Sequence, residues 1–229
     1  MTALDHLRQN SGLPGPRGNL TLLYKFAASA TPAEIQECLT FVVPDVHNSP
    51  EEFLAMCGIL GYCVAGRATI RTTLDAVRVH SSHASWRVRE AVAMGIQELA
   101  VGRLPEVLEE LEPWTAGSPL ERRAVVAGLA EPKLLKVAPE VEQVLGVFER
   151  VTRPFATLSG KLTCEEKTLR QALGYAWIVV VAALPLQGKK TFETLALNPN
   201  PLLQWIVREN LKKNRLKVMD TAWVEAMTR

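Results

Sequence analysis

SWRVREAVAMGIQELA at residues 85–100 and SPLERRAVVAGLAEP at residues 118–132 decide the fold. Laid on one another with an offset of 33 residues, Trp86–Leu99 and Pro119–Pro132 pair Arg89 with Arg122, Ala91 with Ala124, Val92 with Val125, Gly95 with Gly128 and Glu98 with Glu131. Each stretch has the spacing of an amphipathic helix. A mid-helix glycine costs about 1 kcal/mol against alanine, so one at the same position of both stretches implies close helix contact. Self-similarity at such a period is the mark of stacked helix pairs. The fold expected is therefore all-α, a helical-repeat solenoid of stacked antiparallel helix pairs. Pro105–Glu112 carries four glutamates while the next helix opens with Arg122 and Arg123, so one face of the stack, placed on the concave side, is the more basic.

Working outward, helix starts are marked four times by a capping residue followed by proline: Thr31-Pro32, Ser49-Pro50, Ser118-Pro119 and Asn200-Pro201. Glu34, Glu52 and Glu121 stand at capping-box positions, as does Glu166 after Thr163. Helices are expected near 20–29, 32–43, 50–65, 67–80, 86–101, 104–112, 119–130, 139–152, 164–184, 189–197, 201–216 and 218–228. The glycines and prolines of Met1 to Gly18 suggest a loose N-terminal arm, residues 1–18, before a single domain at 19–229.

The 229 residues, 48% hydrophobic and 22% charged, are enough for a sizeable core and for solubility. A net charge of +2 says nothing by itself about partners. Cys38, Cys57, Cys63 and Cys164 lie in apolar helical patterns without zinc spacing and read as reduced core residues. The N-terminus lacks the order of a signal peptide, so a cytoplasmic location is expected. The longest apolar run, Ala172 to Leu186, is shorter than the roughly 20 residues of a membrane span and reads as a buried helix.

Two groups of residues could carry function. At 100° per residue Val88, Val92, Gly95 and Leu99 form the inward stripe of the 86–101 helix, leaving Trp86, Glu90, Ala93 and Gln97 outward. A tryptophan beside a carboxylate suits an electron-poor ring or a cation. The same pair could equally pack against the next repeat and form a surface ion pair with Arg87 or Arg123. In the 201–216 helix Trp205, Arg208, Lys212 and Arg215 share one arc suited to phosphates, although bases in a last turn also complement the helix dipole. His80 and His83 straddle a helix end with no third ligand, so no metal is expected.

SWRVREAVAMGIQELA at 85–100, LRQALGYAWIVVVAALP at 169–185 and NPNPLLQWIVRENLKKNRL at 198–216 resemble the HEAT-like repeat superfamily of bacterial DNA alkylation repair, which includes alkylpurine DNA glycosylases and non-catalytic relatives. The likeness spans most of residues 20–217. It implies a tryptophan followed four residues later by an acid, here Trp86 and Glu90, and a second aromatic after an apolar-glycine step, here Tyr175. The family has aspartate and tryptophan where this chain has Glu90 and Tyr175. On this resemblance Glu90 stabilises positive charge on a deoxyribose and positions water while a cationic alkylpurine leaves, with Trp86 and Tyr175 holding sugar and lesion and no metal or organic cofactor taking part. The implied partner is double-stranded DNA, met by Arg89, Arg122, Arg123, Arg208 and Lys212 with the protein as a monomer. Non-catalytic binding of distorted or branched DNA and a protein-interaction scaffold are the alternatives.

Overall fold

The computed structural model describes residues 2–228, and among them are fourteen α-helices, three short 3-10 turns and no strand. Contacts divide the chain into two compact units, Met1–Glu110 and Leu111–Arg229, where the sequence led to one domain behind an arm.

Unit 1 is built from α1 (Ala3–Gln9), α2 (Leu20–Ser29), α3 (Pro32–Leu39), α4 (Pro50–Ala65), α5 (Ile70–Arg78) and α6 (Trp86–Ala100). A helix apolar on every side belongs at a centre. PEEFLAMCGILGYCVA is such a helix, and α4 accordingly packs against α1, α2, α3 and α6. Residues 3–9 are a correction to the loose arm. A capping box between Thr2 and Asp5 starts α1, and Leu4 and Leu7, three apart on one face, are buried where α1 meets α4. The glycine- and proline-rich signal downstream hid this short apolar pair.

The division falls within α7 (Leu104–Thr115), which runs past Pro113 instead of ending before it. Proline near a C-terminus removes one late hydrogen bond, and the buried Trp114 anchors the last turn. Unit 2 continues through α8 (Pro119–Leu129), α9 (Ala138–Thr152), α10 (Cys164–Ala183), α11 (Pro185–Ala196), α12 (Pro201–Leu211), α13 (Asn214–Met219) and α14 (Thr221–Thr228). Its centre is α10, which packs against α8, α9, α11, α12 and α13. There Trp177 meets Phe148 edge-on at 5.4 Å and Phe192 at 5.9 Å, and its indole N–H donates to Thr152 Oγ1 at 3.1 Å. Of the two aligned stretches, α6 lies on α4, which precedes it in unit 1, and α8 lies on α10, which follows it in unit 2, so the contacts do not by themselves make a repeat of them. Among the described residues no helix is long and apolar enough to cross a membrane.

All four proline-marked starts carry the expected side-chain caps. The expected helix at 201–216 is broken. Lys213 is extended (φ −83°, ψ 136°), and Leu216 is buried on α13. In one straight helix Leu216 would lie about 140° round from the buried Leu211, so the break lets both reach the core. Arg215 therefore leaves the arc shared by Trp205, Arg208 and Lys212. Cys164 is also a correction, since it is exposed at the first position of α10.

Two measurements check this packing. A Cβ at Gly58 would lie 2.7 Å from the Leu39 backbone nitrogen, so Gly58→Ala should cost about 1–3 kcal/mol of stability in denaturant titration. At Gly146 of α9 the nearest such contact is the Arg150 side chain at 3.6 Å, and Gly146→Ala should gain up to about 1 kcal/mol. Burial pushes the Cys38 and Cys63 thiols up to about 12 and Cys57 well above its ordinary value, whereas Cys164 is exposed. A thiol reagent should therefore label one cysteine per folded chain rapidly and the other three only on unfolding.

Candidate functional site

The N-terminus of α6 is fixed by a buried polar clamp that the helical periodicity does not announce. Ser85 caps the helix, its Oγ accepting from the backbone N–H groups of Arg87 (3.1 Å) and Val88 (3.2 Å). The same hydroxyl donates to Glu52 Oε1 at 2.5 Å. Arg87 Nη1 donates to Glu52 Oε2 at 2.9 Å, with the two side chains only 6% and 0% exposed. That oxygen also accepts from Asn48 N, while Arg87 Nη2 donates to the Gly15 carbonyl at 2.7 Å. Asn48 adopts the left-handed conformation that asparagine tolerates (φ 41°), and its Oδ1 receives Gly15 N. One carboxylate and one guanidinium thus tie together residue 15, the start of α4 and the start of α6.

Trp86 projects beside the clamp, 49% exposed, with the Arg87 guanidinium carbon 4.7 Å from its ring centroid. Next to it is an open cavity of about 370 Å³ walled by Asp45, His47, Ala84, Trp86 and Arg89. Arg89 Nη1 donates to the carbonyls of His83 (2.5 Å) and Ala84 (2.7 Å), which holds the backbone ahead of α6. His83 accepts from Ser85 N through Nδ1 and faces the Val43 carbonyl through Nε2 at 3.1 Å, the pattern of an Nε2–H tautomer. Burial lowers the pKa of His80, with His83 a second cause. Among the described residues no group of three His, Cys, Asp or Glu side chains could hold a metal ion.

The outward stripe predicted on α6 is only partly outward. Trp86 is exposed, Glu90 and Gln97 are half-buried, and Ala93 is buried. Glu90 lies one turn after Trp86 but does not line the cavity. Arg87, considered as a surface partner of Glu90, is instead the buried partner of Glu52.

In unit 2, Tyr175 is 44% exposed on α10. Arg122 and Arg123 are half-buried on α8, and Arg122 Nε donates to the Gly117 carbonyl at 2.8 Å. Trp205 is a packing residue: a Cβ at Gly174 would lie 2.9 Å from its ring, and the Arg170 guanidinium stacks on it at 4.4 Å. Arg208 and Lys212 are exposed on one side of a groove, Lys212 ion-paired with Glu209 at 2.5 Å, and Arg215 does not line it.

The chain matches no family model, no curated protein and no solved structure. Function must therefore be argued from these residues alone. Asp45, His47 and the Glu52–Arg87 pair escaped the sequence reading. For the first two no periodic signal exists in a loop. Glu52 sits at a capping-box position, so a local role accounted for it while its carboxylate is spent on residues 85 and 87.

Breaking a buried ion pair from one side strands the other charge and costs about 3–5 kcal/mol, whereas replacing both with apolar groups is often close to neutral. Arg87→Leu should therefore lower stability by about that amount, and Glu52→Leu added to it should recover at least half of the loss. Equal or greater loss in the double variant would show that the two side chains are not coupled as described.

Proposed function

We propose that the protein is a DNA-binding helical-repeat protein of the HEAT-like kind, without a metal or organic cofactor, acting as a monomer in the cytoplasm. The observation that carries this reading is Trp86: a half-exposed indole at a helix start, backed by a buried ion pair and lining an open cavity together with Arg89. Bases stack on such a platform regardless of sequence, at about 1–3 kcal/mol each. Arg208 and Lys212 of unit 2 are exposed cations suited to phosphates, and Arg122, Arg123 and Arg215 remain secondary candidates for the same role.

The resemblance to alkylpurine glycosylases carries a second reading, in which Glu90 stabilises the positive charge that grows as a cationic base leaves and Trp86 and Tyr175 hold sugar and lesion. The spacing of Trp86 and Glu90 on α6 favours it. The geometry disfavours it, because Glu90 is half-buried and does not line the cavity beside Trp86. Non-catalytic binding, with the indole meeting a neutral base in distorted or branched DNA, therefore ranks first. A protein-interaction scaffold has no specific residue in its favour.

Duplex and junction DNA should bind with an affinity that falls as salt rises, measured by fluorescence anisotropy. Arg208→Glu with Lys212→Glu should weaken binding across sequences and flatten the log–log salt slope by about 2. Trp86→Ala should cost about 1–3 kcal/mol, more on distorted than on intact DNA. Absence of salt-dependent binding would refute the DNA reading. Base release from methylated duplex above the spontaneous rate, lost in Glu90→Gln by about 10²–10³, would put the enzyme in place of the binder.

A further inference from the structure

The C-terminal helices of unit 2 border an open groove of about 750 Å³ between α12 and α14. Its size is that of clefts that take small ligands, about 300–1,000 Å³. The floor is apolar: Val207, Leu211 and Val224 are buried in it, and Met227 is half-buried at its edge. The rim is cationic. Arg208, Lys212 and Lys217 all line the groove against the single carboxylate of Glu225.

Lys212 is already engaged by Glu209. Arg208 and Lys217 are exposed and make no close ion pair with a described residue, so the described rim carries more positive charge than Glu225 within it balances. Phosphates of a nucleic acid could meet the rim but would make no use of the apolar side chains between the charges. An apolar chain that ends in an anion would fill the groove and answer the charge together.

We propose that this groove binds an acyl carboxylate, the anion of a medium- or long-chain fatty acid, its chain along Val207, Leu211 and Val224 and its carboxylate between Arg208 and Lys217. The interaction goes beyond DNA recognition and does not depend on it. Carboxylate pairs with arginine are stronger and better oriented than pairs with lysine, so Arg208 sets the head-group position. Chain burial supplies the affinity and the two cations supply the sign selectivity.

The test is calorimetric titration of the full chain with octanoate, decanoate and dodecanoate, each kept below its micellar concentration. Affinity should rise about fourfold per added methylene until the floor is covered. Dodecanoate should bind at least about tenfold more tightly than dodecylammonium. Arg208→Glu with Lys217→Glu should remove that preference, and Met227→Glu, at the half-buried edge, should lower affinity for all three acids while the circular-dichroism melt stays that of the native protein. Affinity independent of chain length, or equal binding of dodecylammonium, would overturn the proposal. So would displacement of dodecanoate at lower concentration by an acidic amphipathic peptide, which would make the groove a protein-docking site.

Discussion

Burying the Glu52 carboxylate against the Arg87 guanidinium costs both their hydration, and further hydrogen bonds to each partner offset part of that cost. Ser85, Asn48 and Gly15 supply them. The consequence is geometric. Three segments remote in sequence must reach one point before either charge is satisfied, so the α4–α6 packing of unit 1 has a specified register beyond what apolar contact alone would select. Trp86 follows directly in the chain from the Ser85 cap and precedes the buried arginine, so its position is inherited from the clamp.

Arginine stacked on tryptophan occurs in both units. Arg87 lies over Trp86 and Arg170 over Trp205, and in each case the arginine Nε is buried without a hydrogen-bond partner among the described residues. An indole face offers a guanidinium electrostatic contact that a vacant hydrogen bond would otherwise supply. The outcomes differ because Trp205 is closed over by Gly174, while Trp86 keeps half its surface open. That contrast, more than residue type, separates a packing tryptophan from a candidate contact. It also explains why the arc of Trp205, Arg208 and Lys212 reads as one function in sequence and as two in structure.

Helices were legible because local chemistry announces them. Thr31, Ser49, Ser118 and Asn200 with their following prolines mark starts that the structure reproduces, and the all-apolar α4 and the apolar run of α10 declare themselves as centres. What escaped needed information from far along the chain. Leu4 and Leu7 gain their helix by packing on α4, the 212–213 break answers the need to bury Leu216, and Ala93 is covered by packing that its own helix does not encode. Of the candidate site, Trp86 is legible from its place opposite the inward stripe of α6, and Arg89 as a base on that helix matched by Arg122 in the second stretch. Asp45 and His47 come from a loop without periodicity, and Glu52 was masked by a capping role it does not perform.

Native-state hydrogen exchange at the backbone amides of Arg87 and Val88 tests the clamp most directly, because both amides are held by Ser85 Oγ and that hydroxyl is in turn held by Glu52. Glu52→Gln keeps the side-chain shape and strands the arginine charge. The account predicts that protection at these two amides falls by about 10²-fold or more, while amides at the centre of α10 in unit 2 change far less. Unchanged protection at Arg87 and Val88 would contradict it, and the start of α6, with Trp86 on it, would then owe its position to apolar packing alone.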